Sequence, residues 1–262
     1  MNDFLNQLAF GWYPYLSITV LIVGSILRYD ADQYSWRSQS SQFLRRKQMM
    51  WGSNLFHMGV LVLFVGHFVG MLTPIQVFDS IGVGHGFKQL VALIVGGIAG
   101  IAALVGATLL LHRRLFEPRI RQTSSFGDIA VLVLIWLQLV FGVLTVFWTM
   151  QHLDGSEMVV LMGWANAIVT FNPGASTLLA DVAWIYKLHI ILGLTLFLIT
   201  PFTRLIHIWS APISFLFRPG YQIVRSLGAV RRSPTRDVYA ARPSYDGTST
   251  TRQQAESGEG GA

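Results

Sequence analysis

The chain has 262 residues, of which 52% are hydrophobic and 12% charged, with a net charge of +6 and a mean hydropathy of +0.50. A soluble domain carries about 25% charged residues, so this composition excludes a water-exposed globule and a disordered chain, and it defines an integral membrane protein. In such a protein the positive charge matters through its placement along the chain and is not the mark of a nucleic-acid-binding surface.

Five apolar segments predict spans, at 9–27, 51–72, 89–111, 129–150 and 184–203. Each is long enough, at about 1.5 Å per helical residue, to cross a hydrocarbon core of about 30 Å. Of 19 basic and 13 acidic residues, only Lys187 falls inside them. Backbone groups in lipid must be satisfied within their own segment, so the expectation is an all-α bundle of five transmembrane helices. Short alternating strands of a membrane barrel are absent from the pattern. The first span has no basic flank and no small-residue cleavage site, and reads as a retained helix.

Basic residues orient the bundle. Arg28, Arg37, Arg45, Arg46 and Lys47 follow span one; Arg113, Arg114, Arg119 and Arg121 follow span three; eight arginines follow span five. Lys88 is the one basic residue in the remaining loops. The bias places the N-terminus outside and the C-terminus in the cytoplasm. Within the long outer loop after span four, 158–169 is apolar enough for a short helix lying on the surface. The segment 228–262, rich in Ser, Thr, Gly, Pro and Arg, predicts a disordered tail dispensable for chemistry. The bundle therefore occupies 1–227. The basic stretch 218–232 before the end of the chain suits anionic lipid or a cytoplasmic partner, or is simply the flank that stops translocation.

There are no cysteines and seven histidines, so a metal would rest on His or carboxylates. His85 and His152 fall in outer loops, and His112 at the inner end of span three. His57 and His67 lie in span two, and His189 and His207 in or at the end of span five. A polar ring in a membrane costs free energy and is by default a functional candidate. Taken singly, each also suits a helix–helix hydrogen bond worth about 0.6–2 kcal/mol.

Depth pairs them. Span two enters from the cytoplasm and span five from outside, which levels His67 with His189 and His57 with His207. The separations are about 15 Å on span two and about 27 Å on span five, and Pro201 predicts a kink that absorbs part of the mismatch. Eighteen residues also make five turns, which faces His189 and His207 the same way. Pairs so far apart cannot converge on one zinc or copper ion. Two axial histidines per iron, with a macrocycle filling the other positions, suit haem. Gly52, Gly59, Gly66, Gly70 and Gly193 would let a flat ring approach the backbone. Arg46, Arg113, Arg114 and Arg204 are cations available to propionates at the inner end.

Several stretches resemble the gamma subunit of bacterial respiratory nitrate reductase. They are 27–30 (Leu-Arg-Tyr-Asp), 55–59 (Leu-Phe-His-Met-Gly), 64–74 (Phe-Val-Gly-His-Phe-Val-Gly-Met-Leu-Thr-Pro), 113–116 (Arg-Arg-Leu-Phe), 151–158 (Gln-His-Leu-Asp-Gly-Ser-Glu-Met), 187–193 (Lys-Leu-His-Ile-Ile-Leu-Gly) and 201–210 (Pro-Phe-Thr-Arg-Leu-Ile-His-Ile-Trp-Ser). The resemblance implies a multi-pass cytochrome b of the bacterial inner membrane with two haem b groups. It implies His67 and His189 as ligands of the outer haem, and His57 and His207 as ligands of the inner. It also implies quinol oxidation near the outer haem, with Lys88 and Gly66 at the quinol site. The implied partners are an iron–sulfur beta subunit and a molybdenum-containing alpha subunit on the cytoplasmic side. The alternatives are a quinol-oxidising cytochrome b anchor of a different reductase, a proton-coupled transporter and a redox-inactive anchor. A transporter would call for intramembrane carboxylates and repeats, which the sequence lacks.

Overall fold

The computed structural model describes residues 3–32, 46–122, 124–151 and 153–209. Among the described residues five helices are long and apolar enough to cross a membrane: Asp3–Ala31, Lys47–Leu72, His85–Phe116, Phe126–Thr149 and Trp184–Phe202. No strand occurs among them. The chain divides into Met1–Ala211 and Pro212–Ala262. The second unit, with the expected tail and the stretch 218–232, lies outside the described residues, as does His152.

The first span consists of α1 (Asp3–Gln7), a π-helical turn (Leu8–Trp12) and α2 (Tyr13–Asp32). The second is α3 (Arg46–Leu72), followed by the short α4 (Ile75–Ser80). The third is α5 (His85–Phe116), and α6 (Pro118–Gln122) leads from it to the fourth, α7 (Phe126–Thr149). The return loop carries α8 (Ser156–Val169) and α9 (Ala175–Leu178), and α10 (Trp184–Ile199) is the fifth span. α5 exceeds its hydropathic core at both ends: its 32 residues make about 48 Å, more than about 30 Å of hydrocarbon, so both ends stand in the headgroup region.

α3 packs on α5, α5 on α7, α7 on α10, and α10 on α2. The α3–α5 seam is made of small residues. A Cβ on Gly59 would lie 2.6 Å from the Ala99 carbonyl and 2.8 Å from Cβ of Ala103, and one on Gly106 would lie 2.7 Å from the Gly52 carbonyl. Backbones this close gain dispersion energy where lipid offers no hydrophobic drive between helices. Gly52 and Gly59 are therefore seam residues, and the expectation that they admit a flat ring is corrected. Gly66 and Gly70 differ: nothing lies within 4 Å of a Cβ on either.

The fifth span does not kink at Pro201; it breaks. α10 ends at Ile199, Thr200–Phe202 is a 3₁₀ turn, Thr203 is extended (φ −123°, ψ 179°), and Arg204–Ile208 forms a second 3₁₀ turn. Proline cannot donate to the carbonyl one turn back, and no α-helix resumes among the described residues. His189 and His207 thus stand on different pieces of chain, and the phase argument from five unbroken turns does not apply.

α8 does more than lie on a surface. Met162, Trp164, Ala165, Ala167 and Ile168 are buried, and a core of Phe10, Trp164, Ala175 and Leu179 joins it to the first span and α9. The reason is local. Pro14 brings no N–H to the Phe10 carbonyl one turn back, and that carbonyl accepts the Trp164 indole N–H at 3.0 Å. Tyr15 donates to the Ile168 carbonyl at 3.1 Å and Asn166 to the Met71 carbonyl at 3.1 Å. One short helix so ties the ends of α2 and α3 together.

Trp164→Phe keeps an aromatic ring, deletes the donor and, because phenyl is smaller than indole, adds a small void. The expected cost is about 1–3 kcal/mol, the penalty for a buried carbonyl losing its partner, read as a lower thermal-unfolding midpoint in detergent.

Candidate functional site

α3 and α10 are not a packed pair; the histidines face one another across the space between their elements. The ring centroids of His67 and His189 are 6.2 Å apart, and those of His57 and His207 are 6.5 Å apart. The depth argument levelled these same residues, and the structure brings them together in those pairs. The break at Pro201–Thr203 lets the second pair meet, because it frees His207 from the axis of α10.

Hydrogen bonds set the state of the rings. His57 Nδ1 donates to the Ser53 carbonyl at 2.7 Å, His67 Nδ1 to the Leu63 carbonyl at 2.7 Å, and His207 Nδ1 to the Arg204 carbonyl at 2.5 Å. A backbone carbonyl only accepts, so Nδ1 carries a proton, and in the neutral ring Nε2 keeps the lone pair. This is the tautomer of a metal-ligating imidazole. His189 is held differently. Its Nε2 lies 3.3 Å from the Gln138 amide nitrogen, and its Nδ1 is buried without a partner. Gly142 makes room for the ring, since a Cβ there would come within 2.9 Å of His189 Cε1. Sequence reasoning missed Gln138 and Gly142. An amide inside the apolar run of span four was the available signal.

The spacing of the rings can be set against what two imidazoles on one metal require. A metal–imidazole bond is about 2.0–2.1 Å and a ring nitrogen lies about 1.1 Å from its centroid, so trans imidazoles on one ion stand about 6.2–6.4 Å apart. The His67–His189 pair, at 6.2 Å, falls in this range, and the His57–His207 pair, at 6.5 Å, stands just above it. Among the described residues no three His, Asp or Glu side chains converge on one point. Each pair offers two ligands, and a macrocycle would have to supply the rest.

Lys88, at the start of α5, is buried. Its ammonium donates to the Gly70 carbonyl at 3.1 Å and the Met162 sulfur at 2.7 Å, and lies 3.7 Å from the centre of the Phe78 ring. Its contact on α3 is Gly70, one turn beyond Gly66; Gly66 itself is exposed. Beyond it, His85 and Asp79 form an exposed pair at 2.9 Å. At the opposite end, two of the expected propionate cations already have a carboxylate. Arg204 grips Asp128 with Nε at 2.6 Å and a terminal nitrogen at 2.5 Å, and Arg114 approaches it at 3.5 Å. Arg113 is buried and reaches the Met49 sulfur at 3.4 Å. The Arg46 side chain lies outside the described residues.

Fold and site together define a multi-pass membrane protein built around two histidine pairs. The model of the nitrate reductase gamma subunit family matches residues 6–227. The chain is 51% identical to the respiratory nitrate reductase 1 gamma chain of Escherichia coli (strain K12), over 86% of this chain and 99% of that one. It is 46% identical to the respiratory nitrate reductase 2 gamma chain of the same organism, over 86% and 99%. It is 38% identical to the nitrate reductase gamma chain of Bacillus subtilis (strain 168), over 81% and 95%. The chain belongs to the nitrate reductase gamma subunit family. It is a multi-pass inner-membrane subunit of a respiratory nitrate reductase, an oxidoreductase of several subunits.

Gly142→Val drives a branched side chain into the His189 ring. The expected loss is about 1–3 kcal/mol of stability, the usual cost of overpacking, measured by thermal unfolding in detergent.

Proposed function

We propose that this subunit binds two haem b groups, one between His67 and His189 and one between His57 and His207, and that it oxidises quinol beside the first pair. The observation that carries this reading is the spacing of the two pairs, 6.2 and 6.5 Å, with Nδ1 of three rings committed to backbone carbonyls. Haem, when bound, supplies one-electron redox chemistry. His67, His189, His57 and His207 would hold it, and this chain supplies the Nδ1 hydrogen bonds of three of these rings and the polar groups at either end.

By the positive-inside rule the end carrying Arg28, Arg113, Arg114 and Arg204 faces the cytoplasm, and the α8 end faces outward. The quinol head group sits at the outward end, where Gly66 and Gly70 leave a strip of uncovered backbone. Lys88 stands over that strip. Its present partner Met162 is a weak thioether acceptor, and a quinol oxygen would replace it with a stronger one. Oxidation of one quinol releases two protons and two electrons. The protons leave outward, and the electrons serve a cytoplasmic iron–sulfur beta subunit and a molybdenum-containing alpha subunit. The arginine-rich end supplies the docking face for those partners.

A reduced-minus-oxidised visible spectrum of the purified complex should show two low-spin b-type haems per chain. His67→Ala or His189→Ala should remove one haem and leave the other; loss of the remaining haem alone would overturn the pairing. Lys88→Ala should keep both haems and lower quinol oxidation about 10–100-fold, the kinetic equivalent of a charge-assisted hydrogen bond of about 1.5–3 kcal/mol. Unchanged turnover in that variant would remove Lys88 from the quinol site.

A further inference from the structure

Among the described residues, the segment that carries His207 has no α-helix to orient it. It follows a broken span, contains an extended residue at Thr203, and makes one five-residue 3₁₀ turn. Such short turns have poorer hydrogen-bond geometry than α-helices and little rigidity. The ring of His207 nevertheless meets His57 at the spacing of a ligand pair.

Two clamps from other helices hold the segment. Arg28, on α2, donates from one nitrogen to the carbonyls of Pro201 at 2.6 Å and Thr203 at 2.9 Å. Asp128, in the first turn of α7, holds Arg204 through both carboxylate oxygens, as a fork. Asp128 is fixed in turn: its N–H donates to the Ser125 hydroxyl and its carboxylate accepts the Ser125 N–H, both at 3.2 Å, in a reciprocal helix cap. The carbonyl of Arg204 accepts the Nδ1 proton of His207. An unbroken line of contacts therefore runs from the α7 cap through a guanidinium and one backbone carbonyl to the imidazole. The same carboxylate faces two cations, Arg204 and Arg114.

We propose that Asp128 is a positioning residue for His207: through Arg204 it fixes the ring's orientation and Nδ1–H tautomer, and its charge offsets the two arginines beside the inner haem site. The proposal rests on the reading of His207 as a haem ligand. Groups that hydrogen-bond a ligating histidine tune both ring basicity and the redox potential of the metal. A net positive charge nearby favours the reduced iron, which carries one positive charge fewer.

The test uses the whole membrane complex, titrated potentiometrically and read by visible and low-temperature electron paramagnetic resonance spectra. Asp128→Asn keeps the side chain's shape and removes its charge. Both haems should remain, the inner one should shift toward its reduced form by at least threefold in the reduced-to-oxidised ratio at fixed potential, and the outer should not move. Arg204→Gln, which removes a cation, should shift the inner haem the opposite way, and Asp128→Glu should restore the original position. Opposite signs at one site are not the signature of a general loss of stability. Superimposable titrations for Asp128→Asn and the unsubstituted protein, or equal shifts in both haems, would overturn the proposal. His207→Ala separates the two levels. Loss of the inner haem upholds the ligand reading whatever Asp128 does, and two retained haems would overturn that reading together with the proposal.

Discussion

A polar group inside hydrocarbon has no water to turn to, and the arrangement of this protein follows from how each such group finds its partner. For three of the four central histidines the partner is a carbonyl three or four residues earlier in the chain. That one bond commits Nδ1 as a donor and leaves Nε2 bare. An imidazole otherwise free to bond helix to helix becomes a group with an unused lone pair, and a second imidazole ring stands 6.2–6.5 Å away. The space between α3 and α10 is kept open by the packing of α3 on α5 and of α10 on α7 and α2.

The two ends of the bundle solve the same problem with different chemistry. At the α8 end, side chains donate to backbone: Trp164 to Phe10, Tyr15 to Ile168, Asn166 to Met71, Asn6 to Ser176 and Lys88 to Gly70. Phe10 and Gly70 lie four residues before Pro14 and Pro74, which bring no N–H, and Met71 lies in the last turn of α3. At the arginine end, charges dominate. Asp128 gathers Arg204 and Arg114, and Arg28 holds the carbonyls freed by the break after α10. A half-buried pair of this kind adds little net stability, and losing one partner leaves a charge uncompensated, so it suits a role in placing the chain.

The division of labour matches a membrane subunit of a respiratory nitrate reductase. The rigid half is α3 with α5, joined through glycine and alanine so closely that most larger residues would be expelled. It presents His57 and His67 at fixed positions on one continuous helix. The other half is composite: His189 stands on α10 beside Gln138 and Gly142 of α7, and His207 stands on a short turn clamped from α2 and α7. A uniform helix would have spaced its two histidines by about 27 Å against about 15 Å on α3. The break removes that mismatch.

Class, number of spans and the partners of the four histidines were legible in the sequence, because each depends on a quantity that one segment carries alone. Apolar length decides whether a helix spans, and counting residues from a membrane surface gives the depth of a side chain. The partition of the glycines was not legible: Gly52, Gly59, Gly66 and Gly70 share a helix and a residue type, and only the position of α5 decides which two are seam and which two are open. The arginines were equally ambiguous. Topology explains each of them, and the claim of Asp128 on Arg204 and Arg114 comes from α5, α7 and the chain after α10 meeting at one point. Pro201 announced a disturbance, but whether a helix kinks or stops depends on which outside donors reach its freed carbonyls, and Arg28 is 173 residues away along the chain. Composition and periodicity act along one helix. Close approach and shared charge are set between helices, and only the tertiary structure decides them.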